Sequence, residues 1–594
     1  MIEKLAASRA GLTGTDQFVL VVAALSPVAW VPVFLFNSAP RVALALALLP
    51  LGMLSLVRQA RERDAASIVA LVLLVTAFVS SCISPAPLNS LTGSLDWWTG
   101  TLGLVTALSW WAVGRELSPR ARRLLIPLLT VGALWNALIA SAQVTLDIDT
   151  GTLAASPGRG SGTMLNPVYY GAYMSGVLAC WLLLSTRSRR SALLVVSLSV
   201  GVGLSGGRIA VGIPLVVGAV ALVIRRDRWT AARNLALMFV GVFVSGLVVS
   251  TNNEGAAVTA RVATGRGSGG RFDFWRVALD AVTSRPVLGW GPGNIEIATE
   301  RQFDLEYTRA NLQPNGTLLR WIDTHNVVLN LMVEMGFVGI TLAVLFVGLS
   351  LRRFGLVRDQ TVNRALLAGA FAMAANWMLQ PSTIHTFPIA LLLFGASLQQ
   401  SPRCDEPPHT DGNEPVDDRV RTSSLAVRRA MVAGTALGAL LLVNLFVVDR
   451  GIRYGHLDVV NSVSRYGYRD PFVDELLARE YRLAILDGDP DLMLERAAWF
   501  ANRQLVNYPV HFAYALSGEI AYIRGDLDAA EAAERGALAV QPWSPLSHGR
   551  LLALAQISDD KEMYDASMRA LCAIGSDACD PDALVAGPDV TTAP

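Results

Sequence analysis

An all-α, polytopic membrane bundle is the fold class this sequence predicts, and three observations predict it. Of 594 residues, 52% are hydrophobic and only 16% charged, against about 25% charged in an average soluble domain. The mean hydropathy is +0.42. About thirteen apolar runs approach the roughly 20 residues that a bilayer-crossing helix needs, beginning near residues 17, 41, 65, 97, 124, 167, 191, 209, 233, 326, 364, 383 and 429. A disordered scaffold and a purely soluble enzyme are excluded. The 49 basic and 48 acidic residues leave a net charge of +1, so no whole-chain field draws in nucleic acid. Five cysteines without a C-x-x-C pair support neither a zinc centre nor a thiol redox centre, and no metal or cofactor is expected.

The first run, Gln17 to Phe36, is too long for a signal peptide and has no small-residue cleavage site behind it, which places the N-terminus in the cytoplasm. Arginine placement tests that orientation, because short cytoplasmic loops are enriched in Arg and Lys. Eighteen arginines fall in the inner loops at 58–63, 115–123, 187–190, 225–233 and 352–364, against Arg41, Arg159 and Arg208 in the short outer ones. The chain then divides into N-terminal spans over 1–250, a large extracytoplasmic loop over 251–325, and further spans over 326–398. A polar cytoplasmic linker over 399–428 precedes a last span over 429–448, and an extracytoplasmic helical domain occupies 449–594. The expected location is the bacterial cytoplasmic membrane.

Within the large loop, Phe272 to Thr283 reads as a short helix with Phe274, Trp275, Val277 and Leu279 available to lie at the membrane interface. Arg285-Pro286 and the turn-rich Gly289-Trp290-Gly291-Pro292-Gly293 end it. In the C-terminal segment, Gly518, Gly525, Ala530, Ala537 and Pro542 fall at tetratricopeptide-like spacings with a period near 34, flanked by degenerate units over 475–508 and 545–575. A generic helical bundle is the competing reading of that segment. Its two cysteines, Cys572 and Cys579, are predicted to pair in the oxidising space outside the cytoplasm.

Few residues in the membrane portion can do chemistry. His325 precedes an apolar helix, where the positive end of the dipole favours neutral, proton-accepting imidazole. Simple capping or anchoring is the competing reading. His385 lacks polar neighbours of similar quality and reads as interfacial. Arg208 follows Ser205-Gly206-Gly207 and opens a span, a corner whose free amides and glycines suit an anionic group. Arg266 and Arg271 frame Gly267-Ser268-Gly269-Gly270, and arginine forks of this kind bind diphosphate oxygens. Glu334, nine residues beyond His325 in an apolar span, requires a partner inside the bundle and reads as a structural hydrogen-bonding group.

Three stretches together resemble the O-antigen ligase and polymerase family of bacterial envelope glycosyltransferases. They are Arg159-Gly160 with Gly162-Thr163, Asn166-Pro167 and Ser205-Gly206-Gly207-Arg208; Arg271 with Trp275, Ala278, Pro286, Gly289, Gly291 and Gly293; and His325-Asn326 with Leu329, Glu334, Gly336 and Gly339. The resemblance implies a GT-C-like bundle of about 12–13 transmembrane helices. It also implies inverting, metal-independent transfer of a glycan from an undecaprenyl-diphosphate carrier to an acceptor hydroxyl. On it, Arg208 and Arg271 hold the diphosphate, helped by Arg159, Arg266 and Asn326, and His325 serves the acceptor as base or orienter. The acceptor is a glycolipid, a glycan or a protein, so ligase, polymerase and protein O-oligosaccharyltransferase share the expectation, with membrane lipids as surroundings. The C-terminal helical domain is then placed to hold an acceptor or a protein partner. A secondary transporter is the non-enzymatic alternative, but the chain lacks the repeated halves common in that class.

Overall fold

The computed structural model describes residues 12–29, 38–93, 100–146, 159–225, 227–250, 271–312, 318, 320–354, 360–381, 383–398, 418–453, 471–483 and 490–575. The membrane portion consists of α1 (Gly14–Leu25), α2 (Ala39–Ala47), α3 (Leu49–Arg61), α4 (Ala65–Cys82), short α5 (Pro87–Thr92), α6 (Thr101–Gly114), α7 (Pro119–Leu146), α8 (Pro167–Leu184), α9 (Arg189–Leu204), α10 (Arg208–Ile224) and α11 (Arg228–Ser250). Then come α12 (Arg271–Ser284), α13 (Ile295–Glu300) and α14 (Leu305–Asn311) in the large loop, and the apolar helices α15 (Val327–Phe354), α16 (Gln360–Asn376), α17 (Phe387–Ser397) and α18 (Asp418–Arg453). Among the described residues six helices follow: α19 (Pro471–Leu483), α20 (Pro490–Asn507), α21 (His511–Ile523), α22 (Leu527–Val540), α23 (Pro545–Ser558) and α24 (Lys561–Ile574). Among the described residues the only β feature is an isolated bridge between Leu312 and Leu318.

A helix coincides with each of the thirteen apolar runs, and seven of these segments are long and apolar enough to cross a membrane on their own. The protein is an all-α, multi-pass membrane protein. Its side-chain distribution agrees, since Val131, Leu138, Val216, Phe243, Val432 and Leu440 lie exposed on the outside of the bundle, as a hydrocarbon solvent permits. Small residues sit where helices touch. Gly434 and Gly438 of α18 face the backbone of Ala47 and Ala43 in α2 so closely that a methyl group at either would collide with a carbonyl oxygen.

Local sequence explains the helix ends. Thr13 and Asp16 form a capping box on α1, and the second Asp16 oxygen accepts from the Ser118 amide at 3.0 Å. Asn166 caps α8 by accepting from the Val168 amide at 2.8 Å, with Pro167 at the first helical position. Asp64 caps α4 and forms an ion pair with Arg115. Arg122 donates to Asn363 at 3.0 Å, and Arg187 pairs with Asp227 at 2.9 Å. The arginine-rich connections therefore meet at one face of the bundle, opposite the large loop. Arg41 departs from its expected place in an outer loop. It is fully buried and donates to the carbonyls of Ser26 at 3.2 Å and Thr163 at 2.5 Å, tying α2 to the end of α1 and to the segment before α8.

Helix α15 is broken, and the break organises the loop face. Gly336 has φ +63° and ψ −164°, so the helix above and below it is not continuous. Interrupting the ladder frees backbone groups that hydrocarbon cannot satisfy. The segment 286–293 satisfies them: the Trp290 amide donates to Val333 O at 2.9 Å, Gly291 to Glu334 O at 2.8 Å, and Phe337 donates to Pro286 O at 2.8 Å. From α4, the Ser80 hydroxyl reaches Leu288 O at 2.6 Å and Glu334 O at 3.1 Å. Gly289, at φ +69°, lies against the Glu334 carbonyl, where a side chain has no room.

On this seat the loop helices form a second apolar core, in which Phe274, Val277, Ala281, Trp290, Ile295 and Tyr307 pack over Leu329 and Val333 of α15. Phe274 and Val277 are thus buried in protein rather than laid on the membrane, and Trp275 donates to Thr324 O at 2.8 Å. Only Phe272 and Leu279 keep exposed apolar surface on α12. The expected interfacial helix is instead a core helix, because the segment after it folds back and covers its apolar stripe.

The C-terminal helices pair as α19–α20, α21–α22 and α23–α24, with α21 beginning at His511 and α23 at Pro545. They dock on the large loop, so both lie on the same face of the bundle. Arg320 bridges Glu296 (2.7 Å) and Glu475 (3.1 Å), Tyr508 donates to Glu296 at 2.9 Å, and Arg309 donates to Ala573 O at 2.6 Å. Cys572 is disulfide-bonded; Cys579, its expected partner, lies outside the described residues. Of the expected linker over 399–428, residues 399–417 lie outside them too, and 418–428 belong instead to α18, which begins at Asp418. A Gly336→Ala substitution forces a side chain into left-handed backbone and against the Val287 carbonyl. It is expected to cost about 1–3 kcal/mol, read as a lowered melting temperature in detergent micelles, whereas Gly348→Ala, with open space around it, leaves the melting temperature in place.

Candidate functional site

His325 stands between the loop core and the membrane bundle, in the segment that enters α15. The residue that opens the helix is Asn326, whose side-chain oxygen accepts from the amides of Val328 (3.0 Å) and Leu329 (3.1 Å). Asn326, expected to touch substrate, therefore has its oxygen engaged in the cap. The Val327 amide donates to Trp377 O at the end of α16 at 2.9 Å. His325 lies one residue outside the helix with φ +57°, a left-handed conformation uncommon for a non-glycine residue. What holds it there is Asp323. The Asp323 carboxylate accepts from the His325 amide at 2.5 Å and from the Asn330 side chain at 2.5 Å, while Asn330 in turn accepts from the Thr324 amide at 2.8 Å.

This frame sets the chemistry of the imidazole. His325 Nδ1 lies 3.0 Å from the Asp323 carbonyl oxygen, which can only accept, so Nδ1 carries the hydrogen and Nε2 keeps its lone pair in the neutral ring. Burial lowers the His325 pKa below its ordinary 6.5, opposed by Asp323 and reinforced by the positive charge of Arg271. Burial likewise raises the Asp323 carboxyl. The Trp321 ring meets His325 edge-on at 5.4 Å and stacks on Phe274 at 4.7 Å.

The cationic residues divide into two groups. Arg271, at the start of α12, acts electrostatically on His325 and donates to Leu379 O at 3.2 Å. Burial pulls its pKa below the ordinary arginine value. Arg159 lies beside the Ser205–Arg208 corner and donates to Ser205 O at 2.7 Å across the left-handed Gly206. Arg208 opens α10 with its side chain exposed. The first turns of α8 meet the Arg208 corner, with Gly171 against Ser205 and Ala210, and Tyr169 stacks on His385 in the turn after α16, whose Trp377 carbonyl accepts from Val327; the Arg208 corner and His325 thus lie on the same face. Arg266, the other sequence candidate, lies outside the described residues.

Glu334 points its carboxylate at the glycine turn, accepting from the Gly293 amide at 2.8 Å. It also lines a cavity of about 540 Å³ walled by Leu104, Leu108, Leu331, Met335, Phe346 and Phe394, which reaches Asn330 and Pro292 at its polar end. His385, expected at the interface, is buried: its ring stacks on Tyr169 at 5.0 Å and Nδ1 lies 3.2 Å from the Thr383 hydroxyl. The turn between α16 and α17 folds inward over α8 and takes the histidine with it. Among the described residues no group of three or more His, Cys, Asp or Glu side chains converges to hold a metal ion.

Asp323, Asn330 and Trp321 are the residues that sequence reasoning missed. The signal available was their position: Asp323 lies two residues before the histidine and Asn330 one turn after Asn326, where short polar side chains fold back on the backbone.

Fold and site together define a multi-pass helical membrane protein whose polar centre lies beneath one large loop. Residues 192–344 match the family described as O-antigen ligase. That match contains Arg208, Arg271, His325 and Glu334 and connects the chain with glycosyl transfer in surface polysaccharide synthesis. No curated protein matches the chain. Because both Asp323 oxygens accept from N–H donors, Asp323→Asn sets an amide N–H against one of them. The expected cost is about 1–3 kcal/mol, measured as a fall in melting temperature, and an unchanged melting curve overturns the framing role of this carboxylate.

Proposed function

We propose that this protein transfers a glycan from an undecaprenyl-diphosphate carrier to an acceptor hydroxyl at the extracytoplasmic face of the bacterial cytoplasmic membrane. The observation that supports it best is the His325 geometry: a neutral imidazole held by Nδ1, with Nε2 left to accept a proton, beside a cationic Arg271. In this reading Nε2 takes the proton of the acceptor hydroxyl while its oxygen bonds to the anomeric carbon. The bond from that carbon to the carrier's diphosphate breaks, inverting the anomeric centre. The negative charge that develops on the departing diphosphate is met by Arg271 and Arg208, with Arg159 alongside. The apolar cavity against Glu334 supports a lipid-borne donor, since its walls suit a polyprenyl chain and its lining includes Asn330, whose side chain holds Asp323. An arginine-rich face opposite the loop supports the orientation.

The test is transfer by purified protein from an undecaprenyl-diphosphate oligosaccharide. A folded His325→Ala variant is expected to lose about 10²–10⁴-fold in rate, and full activity in it removes the base. The pH dependence follows from the lowered pKa. The rate is expected to hold at neutral pH and to fall as pH drops through a value below 6.5, where the imidazole gains its proton. A rate that instead falls as pH rises from 6 to 8 contradicts this assignment. Separately, Arg208→Ala and Arg271→Ala are each expected to weaken donor binding by about 10–100-fold, the value of a charge-assisted hydrogen bond to phosphate; wild-type donor affinity in both variants removes the diphosphate clamp.

A further inference from the structure

A second cavity, of about 230 Å³, lies between the large loop and the C-terminal helices. Its loop wall consists of Glu296, Glu300 and Phe303 with Arg320 and Trp321, and the opposite wall is made by Phe512, Gln541, Ser544 and Leu546. Trp321 is common to this cavity and to the setting of His325, which it meets edge-on at 5.4 Å. We propose that this cavity is a saccharide subsite, holding one sugar unit next to the hydroxyl or glycan end presented to His325.

Three features carry the assignment. First, the lining combines aromatic rings (Phe303, Trp321, Phe512) with hydrogen-bonding groups of both kinds, the chemistry that a sugar's apolar ring face and hydroxyl edge require. Second, the volume falls below the about 300–1,000 Å³ typical of drug-sized ligands, which suits a single sugar ring better than a folded peptide segment. Third, the carboxylates are not an open negative patch for a cationic partner. Arg320 bridges Glu296 at 2.7 Å and Glu475 at 3.1 Å, and Glu300 accepts the His511 amide at 2.8 Å. Burial, together with neighbouring Glu296, raises the Glu300 carboxyl to about 8, so at neutral pH it offers a hydroxyl as well as an acceptor. The cavity is polar yet nearly neutral, and it exists only because the C-terminal helices dock on the loop.

Placing the sugar on the acceptor or on the donor glycan rests on the glycosyl-transfer reading; the sugar chemistry does not. The test therefore begins with binding alone. Saturation-transfer NMR on the full-length protein in detergent, with methyl glycosides and disaccharides of hexoses, 6-deoxyhexoses and N-acetylhexosamines, is expected to give signal with at least one sugar class. Leu546→Trp, which fills the cavity from a partly exposed position, is expected to abolish it. Glu300→Gln, which preserves an acceptor for His511 and supplies an N–H donor in place of the carboxylic O–H, is expected to retain it. Melting curves equal to wild type show that both variants fold. Signal from no sugar, signal unchanged in Leu546→Trp, or binding of a lysine-rich peptide in place of sugars overturns the subsite.

Transfer kinetics then identify the source: a raised acceptor KM at constant kcat in Leu546→Trp places the sugar on the acceptor, and a raised donor KM places it on the donor glycan. If wild type transfers glycan while Leu546→Trp alters neither binding nor KM, the subsite falls and the enzymatic reading stands. Sugar binding lost in Leu546→Trp by a wild type that transfers nothing has the reverse meaning.

Discussion

The break in α15 at Gly336 is the feature on which the loop face depends. A helix in hydrocarbon cannot leave amides and carbonyls unpaired, so an interruption persists only where protein supplies partners. Here the partners are the backbone of 286–293 and the Ser80 hydroxyl, which together satisfy Val333 O, Glu334 O and the Phe337 amide. The dependence is mutual. The glycine turn has no regular structure of its own, and it is held in place by the groups the helix leaves open, with Gly293 further anchored by the Glu334 carboxylate. Motifs lying some 40 residues apart in the chain thus become one unit.

Everything above the break inherits its position from it. Trp290, seated by the Val333 carbonyl, donates its indole N–H to Ala281 O at 2.8 Å and so anchors α12. Helix α12 carries Arg271 at its start and Trp275 against the Thr324 carbonyl, which brings the cation to the histidine segment. The first turn of α15, capped by Asn326, holds Asn330 under Asp323, and Asp323 determines which imidazole nitrogen keeps a lone pair. A rigid backbone arrangement thereby becomes a choice of tautomer. Beneath it, the apolar cavity begins at Asn330 and Glu334, so the polar centre and the lipid-like volume share one helix.

The docking of the C-terminal helices is electrostatic as well as apolar. Arg320 between Glu296 and Glu475 is largely shielded from solvent, where an unpaired member would be costly, and Tyr508 and the His511 amide complete the acidic groups. Ala86 and Ile297 pack against Tyr508, Val510 and Ala513 beside them. This contact turns a peripheral domain into one wall of the region around Trp321.

Composition and periodicity by themselves determined the all-α membrane class, since the apolar residue count in each run is dictated by bilayer thickness, and each of the thirteen runs coincides with a helix. They also singled out His325, Arg208, Arg271 and Glu334, because ionisable groups beside long apolar runs are few. What only the tertiary structure decided is how these residues are held. Spacing could not show that Phe274 and Val277 of α12 are buried, because the covering segment is defined by long-range backbone bonds to α15. Nor could it show that His385 and Arg41 turn inward, since their partners, Tyr169 and Thr163, lie far away in the chain. The capping role, the competing reading for His325, belongs to Asn326, and the histidine owes its lone pair to Asp323, a neighbour whose effect depends on a left-handed φ. Local sequence encodes local preference and burial; the tautomer, the helix break and the shared cavity arise where distant backbone groups satisfy each other.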